Sequence, residues 1–418
     1  MNLPMAITIA VLLISILLYI SGRVPYLAIS LAAPMALYFC GIVTPADIFT
    51  HLTNEGLLMS VGMFLCGGAL ISSGAAERIG SVITRRFKSE RSLMLCFFLA
   101  AVALSTFINN IAAAMVFIPL IMGIGQQGLA KPSRLLLPMA VGCSMGGVNS
   151  LIGQPLNILA NIQLEEAGLE PFGFFEFARI GVPLCIAAAV YICLFGHRML
   201  PERESTVDYV MPDRKRQSAA KQAVAAGVFL AVIVSMVLRD VTGIPMQISS
   251  LTGGAVLLFT GTMTDKEAIS YIDFNGILMV VSMLTVANAL SATGATTLLA
   301  EGIVGLFGAG SSPFLFCAIL VILTAVLTNV ISNTACCALF MPMGIALASA
   351  LNCNHKAVAI AIVIGSSMAF ATPVGTHCNT VVIGYGGYRY KDYVKFGLPV
   401  TVIWVVGACL LLPLLWKF

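Results

Sequence analysis

Charge is what this sequence has least of. Asp, Glu, Lys and Arg together make up 10% of its 418 residues, against 59% hydrophobic residues and a mean hydropathy of +1.00. A soluble globular chain is about a quarter charged, so a fold bathed in water on all sides is excluded. The twelve cysteines form no C-x-x-C pair, and Cys336 and Cys337 are adjacent. They read as small packing residues rather than disulfides or metal ligands. No Walker A run occurs, and no G-x-G-x-x-G follows a strand. ATP-driven transport on this chain and a nucleic-acid partner are therefore not expected. What the chain has instead is a series of uncharged stretches of roughly 17 to 20 residues, the thickness of a bilayer. It reads as an all-α polytopic membrane protein. Its first apolar run, Met5 to Tyr19, lacks a basic leader and a small-x-small cleavage site, and reads as a retained helix.

The chain also repeats itself. GLLM at Gly56–Met59 returns as GILM at Gly276–Met279, and ALISSGA at Ala69–Ala75 as ALSATGA at Ala289–Ala295. Asn110, nine residues before Pro119, returns as Asn333, nine before Pro342, and the Gly153 region IGQPLN returns as VGTHCN around Gly375. The four offsets all lie between 220 and 223 residues, hard to obtain by chance. Basic clusters at Arg85–Arg91, Lys131–Arg134, Arg198–Lys221 and Arg389–Lys395 mark cytoplasmic loops, and the acidic loop Glu165–Glu176 marks the outside. Threaded this way, 4–21, 26–43 and 57–74 cross. Residues 93–124 enter and leave on the cytoplasmic side as a re-entrant hairpin, 134–160 cross outward, and 179–197 return. Residues 198–221 are a cytoplasmic linker. In the second half 222–239, 247–262 and 275–293 cross, the hairpin at about 312–349 opens outward, 357–386 return, and 396–416 end outside. The repeats, 1–197 and 222–418, have opposite topology, as inverted-repeat secondary transporters do. The stretch from Arg78, RIGSVITRRFKSER, reads as an amphipathic surface helix.

Each repeat carries two polar interruptions at matched depth. The first has Ser105, Asn109 and Asn110, then NSLIGQPLN at Asn149–Asn157; the second has Thr328, Ser332, Asn333 and Thr334, then ATPVGTHCNT at Ala371–Thr380. Gly and Pro at Gly153–Pro155 and Pro373–Gly375 break helices. A broken helix at membrane depth frees carbonyls, which with Ser, Thr and Asn oxygens suit a dehydrated Na⁺. Freed N–H groups at half-helix N-termini suit an anion. No Asp or Glu occurs from Ser92 to Leu164 or from Gly302 to Lys391. Cation exchange usually needs an intramembrane carboxylate, so the pattern favours an anion entering together with cations. His377 sits in the second break; as a substrate donor, a proton-sensitive gate or plain structure it stays open. His51, His197 and His355 read as interfacial, and Tyr385, Tyr388 and Tyr390 as an aromatic belt.

At these residues the sequence resembles the divalent anion/sodium symporter family of the ion transporter superfamily. The resemblance is carried by SNT at Ser332–Thr334, its counterpart NNI at Asn109–Ile111, and GQPLN and GTHCN, near the family's G-[ST]-P-P-N loops. It runs over nearly the whole chain. It implies an elevator-type homodimer, with scaffold helices at about 4–43 and 222–262 and transport parts at about 57–160 and 275–386. It implies one Na⁺ site on Ser105, Asn109, Asn110 and Gly153, and a second on Thr328, the Ile331 carbonyl, Asn333 and Gly375. The substrate would touch Asn110, Gln154, Ser332, Asn333, Thr334, Thr376 and His377. Ile111 stands where the family has Thr, and Gln154 and His377 replace a small residue and a proline, so the anion site departs from the family's in those places. The expected function is Na⁺-coupled symport of a C4-dicarboxylate or sulfate by a multi-pass protein of a bacterial inner membrane. A Na⁺/H⁺ antiporter or oxyanion efflux permease on the same scaffold is the alternative. No Ser/His or paired-carboxylate constellation supports an enzyme.

Overall fold

The computed structural model describes residues 2–21, 23–75, 87, 89–203, 205, 217–296, 298, 313–351, 353–373 and 375–417. Most of the amphipathic surface helix expected from Arg78, half of the linker 198–221, and the first residue of the hairpin at 312–349 lie outside them. Within the described residues the two halves run in parallel order. The first comprises α1 Leu3–Ser21, α2 Tyr26–Phe39, α3 Pro45–Phe49, α4 Glu55–Ser72, α5 Glu90–Ser105, α6 Asn110–Gln126, α7 Pro132–Gly146, α8 Pro155–Glu166 and α9 Ala178–Leu194. The second comprises α10 Ala219–Val237, α11 Met246–Phe259, α12 Asp265–Tyr271, α13 Phe274–Ala292, α14 Pro313–Leu327, α15 Asn333–Ala350, α16 His355–Ser366, α17 His377–Gly386 and α18 Tyr390–Leu415. A single helical turn at Arg239–Thr242 separates α10 from α11. The correspondence reaches single caps. Short helices α3 and α12 both open on a threonine capping box, Thr44 with Asp47 and Thr264 with Glu267.

Both hairpins form where the sequence places them. Helices α5 and α6 join through a four-residue tip, Thr106 to Asn109, and α14 and α15 through Thr328 to Ser332. Both crossing segments are broken: α7 stops at Gly146 and α8 resumes at Pro155, while α16 stops at Ser366 and α17 resumes at His377. Pro155 sits at the first helical position, where its missing N–H costs nothing.

Packing crosses between the repeats. Helix α4 lies along α10 and α11 of the second repeat, and α13 lies along α1 and α2 of the first. The two hairpins and the two broken helices pack on one another, and α9 packs on α18. Helices α7 and α16 are buried on every face, which their all-round apolar character requires. Large apolar side chains such as Leu17, Leu230, Phe259 and Leu410 stand on the outer surface; with Glu55–Ser72, Ala219–Val237, Phe274–Ala292 and Tyr390–Leu415 each long and apolar enough to span a bilayer, the protein is an integral membrane protein.

Two expectations fail. Tyr388 is not part of an aromatic belt: it is buried, its hydroxyl donates to Ser133 O at 2.6 Å and accepts from Leu137 N at 2.9 Å. It is inserted into α7 between a donor and acceptor one turn apart, next to Pro138, which interrupts the same helix. His51 does not face outward either. It is buried, with Nδ1 3.2 Å from Glu166 Oε1 and Nε2 3.3 Å from Asn288 Nδ2.

Candidate transport site

The breaks are held open by buried asparagines. Asn157 Nδ2 donates to Gly147 O at 3.0 Å and Ser150 O at 2.5 Å. Its counterpart Asn379 Nδ2 donates to Ala369 O at 3.0 Å and Thr372 O at 2.9 Å. An unwound segment leaves carbonyls that hydrocarbon cannot solvate, and one amide per break satisfies two of them. Each break is also bonded to its hairpin tip: Ser150 Oγ donates to Thr106 O, and Thr372 Oγ1 to Asn329 O at 2.9 Å. Glycine is required where the strands of each break touch. A Cβ on Gly153 would stand 2.5 Å from Gly147 O, and one on Gly375 2.5 Å from Thr328 O, both against backbone that cannot yield.

These contacts assemble two small clusters of oxygen. The terminal side-chain atom of Asn110 faces Ser105 Oγ at 2.7 Å, Cys143 O at 3.2 Å and Gly153 O at 3.3 Å. That of Asn333 faces Thr328 Oγ1 at 2.7 Å, Ser366 O at 3.2 Å and Gly375 O at 2.9 Å. All six partners are oxygens, and each cluster is built from one repeat. An amide nitrogen turned into such a cluster donates to all three. An amide oxygen turned into it makes a fourth hard ligand, and the set then needs a cation. No carboxylate belongs to either cluster, so a monovalent ion suits the charge. Cys143 and Ser366 contribute carbonyls from the last turns of α7 and α16; Cys143 O also accepts from Gly147 N, and Ser366 O from Thr328 Oγ1 at 2.6 Å.

Between the clusters lies an open cavity. The N-termini of α6, α8, α15 and α17 all line it, through Asn109–Ile111, Gln154–Leu156, Ser332–Thr334 and Thr376–Cys378. Four positive helix ends aimed at one space make an anion site without a cationic side chain; among the described residues no Lys or Arg lines it. Helices α8 and α17 have no side-chain cap bond, so their first N–H groups stay available to a ligand.

Most of the residues expected from sequence meet here. Ser105, Asn110, Gly153, Thr328, Asn333 and Gly375 form the oxygen clusters. Asn109 and Ile331 stand at the hairpin tips but not among those oxygens; Asn109 Oδ1 instead caps α6, accepting from Ile111 N at 2.9 Å. Asn110, Ser332, Asn333, Thr334 and His377 line the cavity, and Ser332 Oγ caps α15. The exposed His377 ring stands edge-on to Tyr26, 6.4 Å between centroids. Gln154 and Thr376 border the cavity but turn their polar atoms inward. Gln154 Nε2 donates to Ser367 Oγ at 2.8 Å and Asn157 Oδ1 at 3.0 Å, and Thr376 Oγ1 lies 3.3 Å from Ser144 Oγ. Each ties its break to the straight helix of the other repeat. Asp273, at the start of α13, also lines the cavity. Sequence reasoning missed Cys143, Ser366, Asn157, Asn379, Tyr26 and Asp273. The asparagines had a signal, since both end the repeated G-x-x-x-N.

Comparison with known proteins agrees with this architecture. A model of the citrate transporter family, CitMHS, matches residues 16–246 and 240–418. The sodium-dependent dicarboxylate transporter SdcS of Staphylococcus saprophyticus is 22% identical over 425 residues, 93% of this chain and 82% of that one. An uncharacterized transporter of Methanocaldococcus jannaschii is 23% identical over 401 residues, 94% and 90% of the two chains. Among solved structures, the YdaH transporter of Alcanivorax borkumensis superposes with a TM-score of 0.68 at 16% identity, over 99% of this chain and 98% of that one. MtrF of Neisseria gonorrhoeae, described within a class of antimetabolite efflux pumps, gives 0.64 at 12% identity, over 99% and 94%. The chain is thus a membrane transporter, not an enzyme, and belongs to the citrate transporter family of the ion transporter superfamily.

Proposed function

We propose that the protein is a Na⁺-driven symporter of a small di- or tricarboxylate. The observation that carries the reading is that one asparagine in each repeat belongs to both an oxygen cluster and the cavity wall. With the amide oxygen turned to a Na⁺ in the cluster, the NH₂ group faces the cavity and donates to the anion. Without the cation the amide turns over to satisfy Ser105 Oγ, Cys143 O and Gly153 O, or their second-repeat equivalents, and presents an oxygen that repels an anion. Cation binding thereby prepares the anion site, and the coupling lives in two amide orientations. Two Na⁺ and four helix N-termini together neutralise a dicarboxylate in a space without Lys or Arg. The family match and the resemblance to SdcS support a carboxylate over sulfate.

The anion then crosses by an elevator motion in which both hairpins and both broken helices move together. Helices α4 and α13 pack on α10–α11 and α1–α2; in this reading they therefore stand with the fixed part, at the seam, a departure from the sequence expectation that 57–74 and 275–293 belong to the transport parts. The cavity mouth lies by Tyr26 and Asp273, at helix ends that the basic loops assign to the cytoplasm, so this arrangement is the inward-open one. The working form is a homodimer in a bacterial inner membrane. Purified protein in liposomes is expected to concentrate labelled succinate or citrate only under an inward Na⁺ gradient; equal uptake in choline and Na⁺ buffers refutes the coupling. Asn333→Asp, which keeps an oxygen for the cation and removes the NH₂ donor, should retain Na⁺-dependent thermal stabilisation and lose stabilisation by the anion. Retention of both refutes the amide's double role.

A further inference from the structure

One wall of the cavity belongs to neither the hairpins nor the breaks. It is made by Tyr26 of α2 and by Asp273, Asn275, Gly276 and Met279 at the start of α13, two helices that pack on each other. Asp273 is partly exposed there. Its Oδ1 caps α13 by accepting from Gly276 N at 2.9 Å. Among the described residues it is the sole carboxylate lining the cavity, and no Lys, Arg or His stands within ion-pair distance of it. The cap does not require the charge. At the corresponding start of α4 the cap is Asn54, whose Oδ1 accepts from Gly56 N at 2.8 Å. An unpaired negative charge thus faces the four helix N-termini across the space an anion would fill.

Resting on the anion-transport reading above, we propose that Asp273 is a one-sided affinity determinant: it weakens anion binding while the cavity faces the start of α13 and so promotes release to that side. Helix α13 packs on α2 as well as on α15; because it stands with the fixed part in the reading above, the charge meets the anion in this arrangement and is left behind when the hairpins carry the anion to the other face. The repulsion scales with the charge of the anion, so it acts more strongly on citrate than on succinate.

The test is self-exchange of radiolabelled succinate and citrate in proteoliposomes of one orientation, with Na⁺ on both sides and the half-saturating concentration measured separately at each face. Asp273→Asn keeps the cap and removes the charge. At low salt it is expected to lower the cytoplasmic value for succinate about five- to tenfold, the effect of one charge on a dianion across a watery gap of about 8 Å, and the value for citrate by more. The external value stays put, and the gain shrinks as choline chloride raises the ionic strength. Asp273→Glu keeps the charge and is expected to keep the wild-type asymmetry, whereas a merely structural role would tolerate Asn and suffer from Glu. Equal changes at both faces, no change, or weaker cytoplasmic binding in Asp273→Asn overturns the proposal. Self-exchange needs no gradient, so failure of Na⁺ coupling leaves this result standing. Wild-type protein that exchanges neither anion overturns the anion reading and this inference together.

Discussion

Replacing Asn157 by alanine removes four hydrogen bonds, one of them a long 3.4 Å contact to Val148 O, from a fully buried side chain. Gly147 O and Ser150 O lose the donor Nδ2, and Gln154 Nε2 loses the acceptor Oδ1. A buried polar group left without a partner costs about 1–3 kcal/mol, so the variant should lose about 3 kcal/mol or more unless water enters the break. The loop that slackens carries Gly153, whose carbonyl belongs to the first oxygen cluster. Stability and cation binding should therefore fall together. The measurement is thermal unfolding in detergent with a thiol-reactive dye, which reports exposure of buried cysteines such as Cys66, Cys185 and Cys336, repeated over a Na⁺ titration. The midpoint is expected to drop by several degrees, and half-maximal stabilisation by Na⁺ to need about tenfold more salt, equivalent to about 1.4 kcal/mol of binding. Asn157→Asp sharpens the argument. It is nearly isosteric, yet it offers carboxylate oxygens to two carbonyl oxygens and should be worse than alanine. Asn379→Ala should be milder, because Asn379 Oδ1 has no partner to lose. An Asn157→Ala protein with an unchanged midpoint and Na⁺ response, or Asn157→Asp more stable than Asn157→Ala, refutes the reasoning.

Three further outcomes are expected. Gly375→Ala places a methyl 2.5 Å from Thr328 O, an overpacking cost of about 1–3 kcal/mol, and the displaced Gly375 carbonyl should abolish one component of the Na⁺ dependence of uptake; an unaltered Na⁺ curve counts against the second cluster. Tyr388→Phe strips the hydroxyl from between Leu137 N and Ser133 O and should cost about 1–3 kcal/mol in thermal unfolding, with no loss if α7 recloses its own bond. At the end of α8, burial and the neighbouring Glu55 push the Glu165 carboxyl up from its ordinary 4.5, against the pull of Arg239. A raised value in the folded state means stability that is complete below the unfolded value and lost as pH rises through the folded one. Melting temperature should therefore climb as pH falls from 7 toward 5, and Glu165→Gln should flatten that slope; an identical slope in the variant excludes Glu165 as its source.

The architecture was largely legible because the repeat shows twice. One Ser-Asn-Thr in an apolar run is ambiguous, but Ser332–Thr334 and its counterpart Asn109–Ile111 at a nearly constant offset, each followed by a Gly/Pro break, point to matched hairpins and broken helices. Legibility stopped where chemistry is done by the backbone. Cys143 and Ser366 enter the clusters through carbonyls, which any residue possesses, so only the fold reveals them. Gln154 and Thr376 line the cavity as their place in the motif suggests, but nothing in the sequence signals that Gln154 Nε2 and Thr376 Oγ1 also reach Ser367 and Ser144, more than 200 residues distant. Asp273 was invisible because the search for carboxylates followed the hairpins and breaks, whereas the cavity borrows a wall from α13. Tyr388 reads as interfacial until Pro138 is seen to interrupt the helix beside it.

Each oxygen cluster is complete within a single half of the chain, while the cavity exists only where the halves meet. A half-length ancestor inserted in the membrane in both orientations, and paired head to tail with itself, would have owned both oxygen clusters from the outset. Fusion of two such genes would then have freed the shared space to lose its twofold sameness, which is where Gln154 now differs from Thr376 and Ile111 from Thr334.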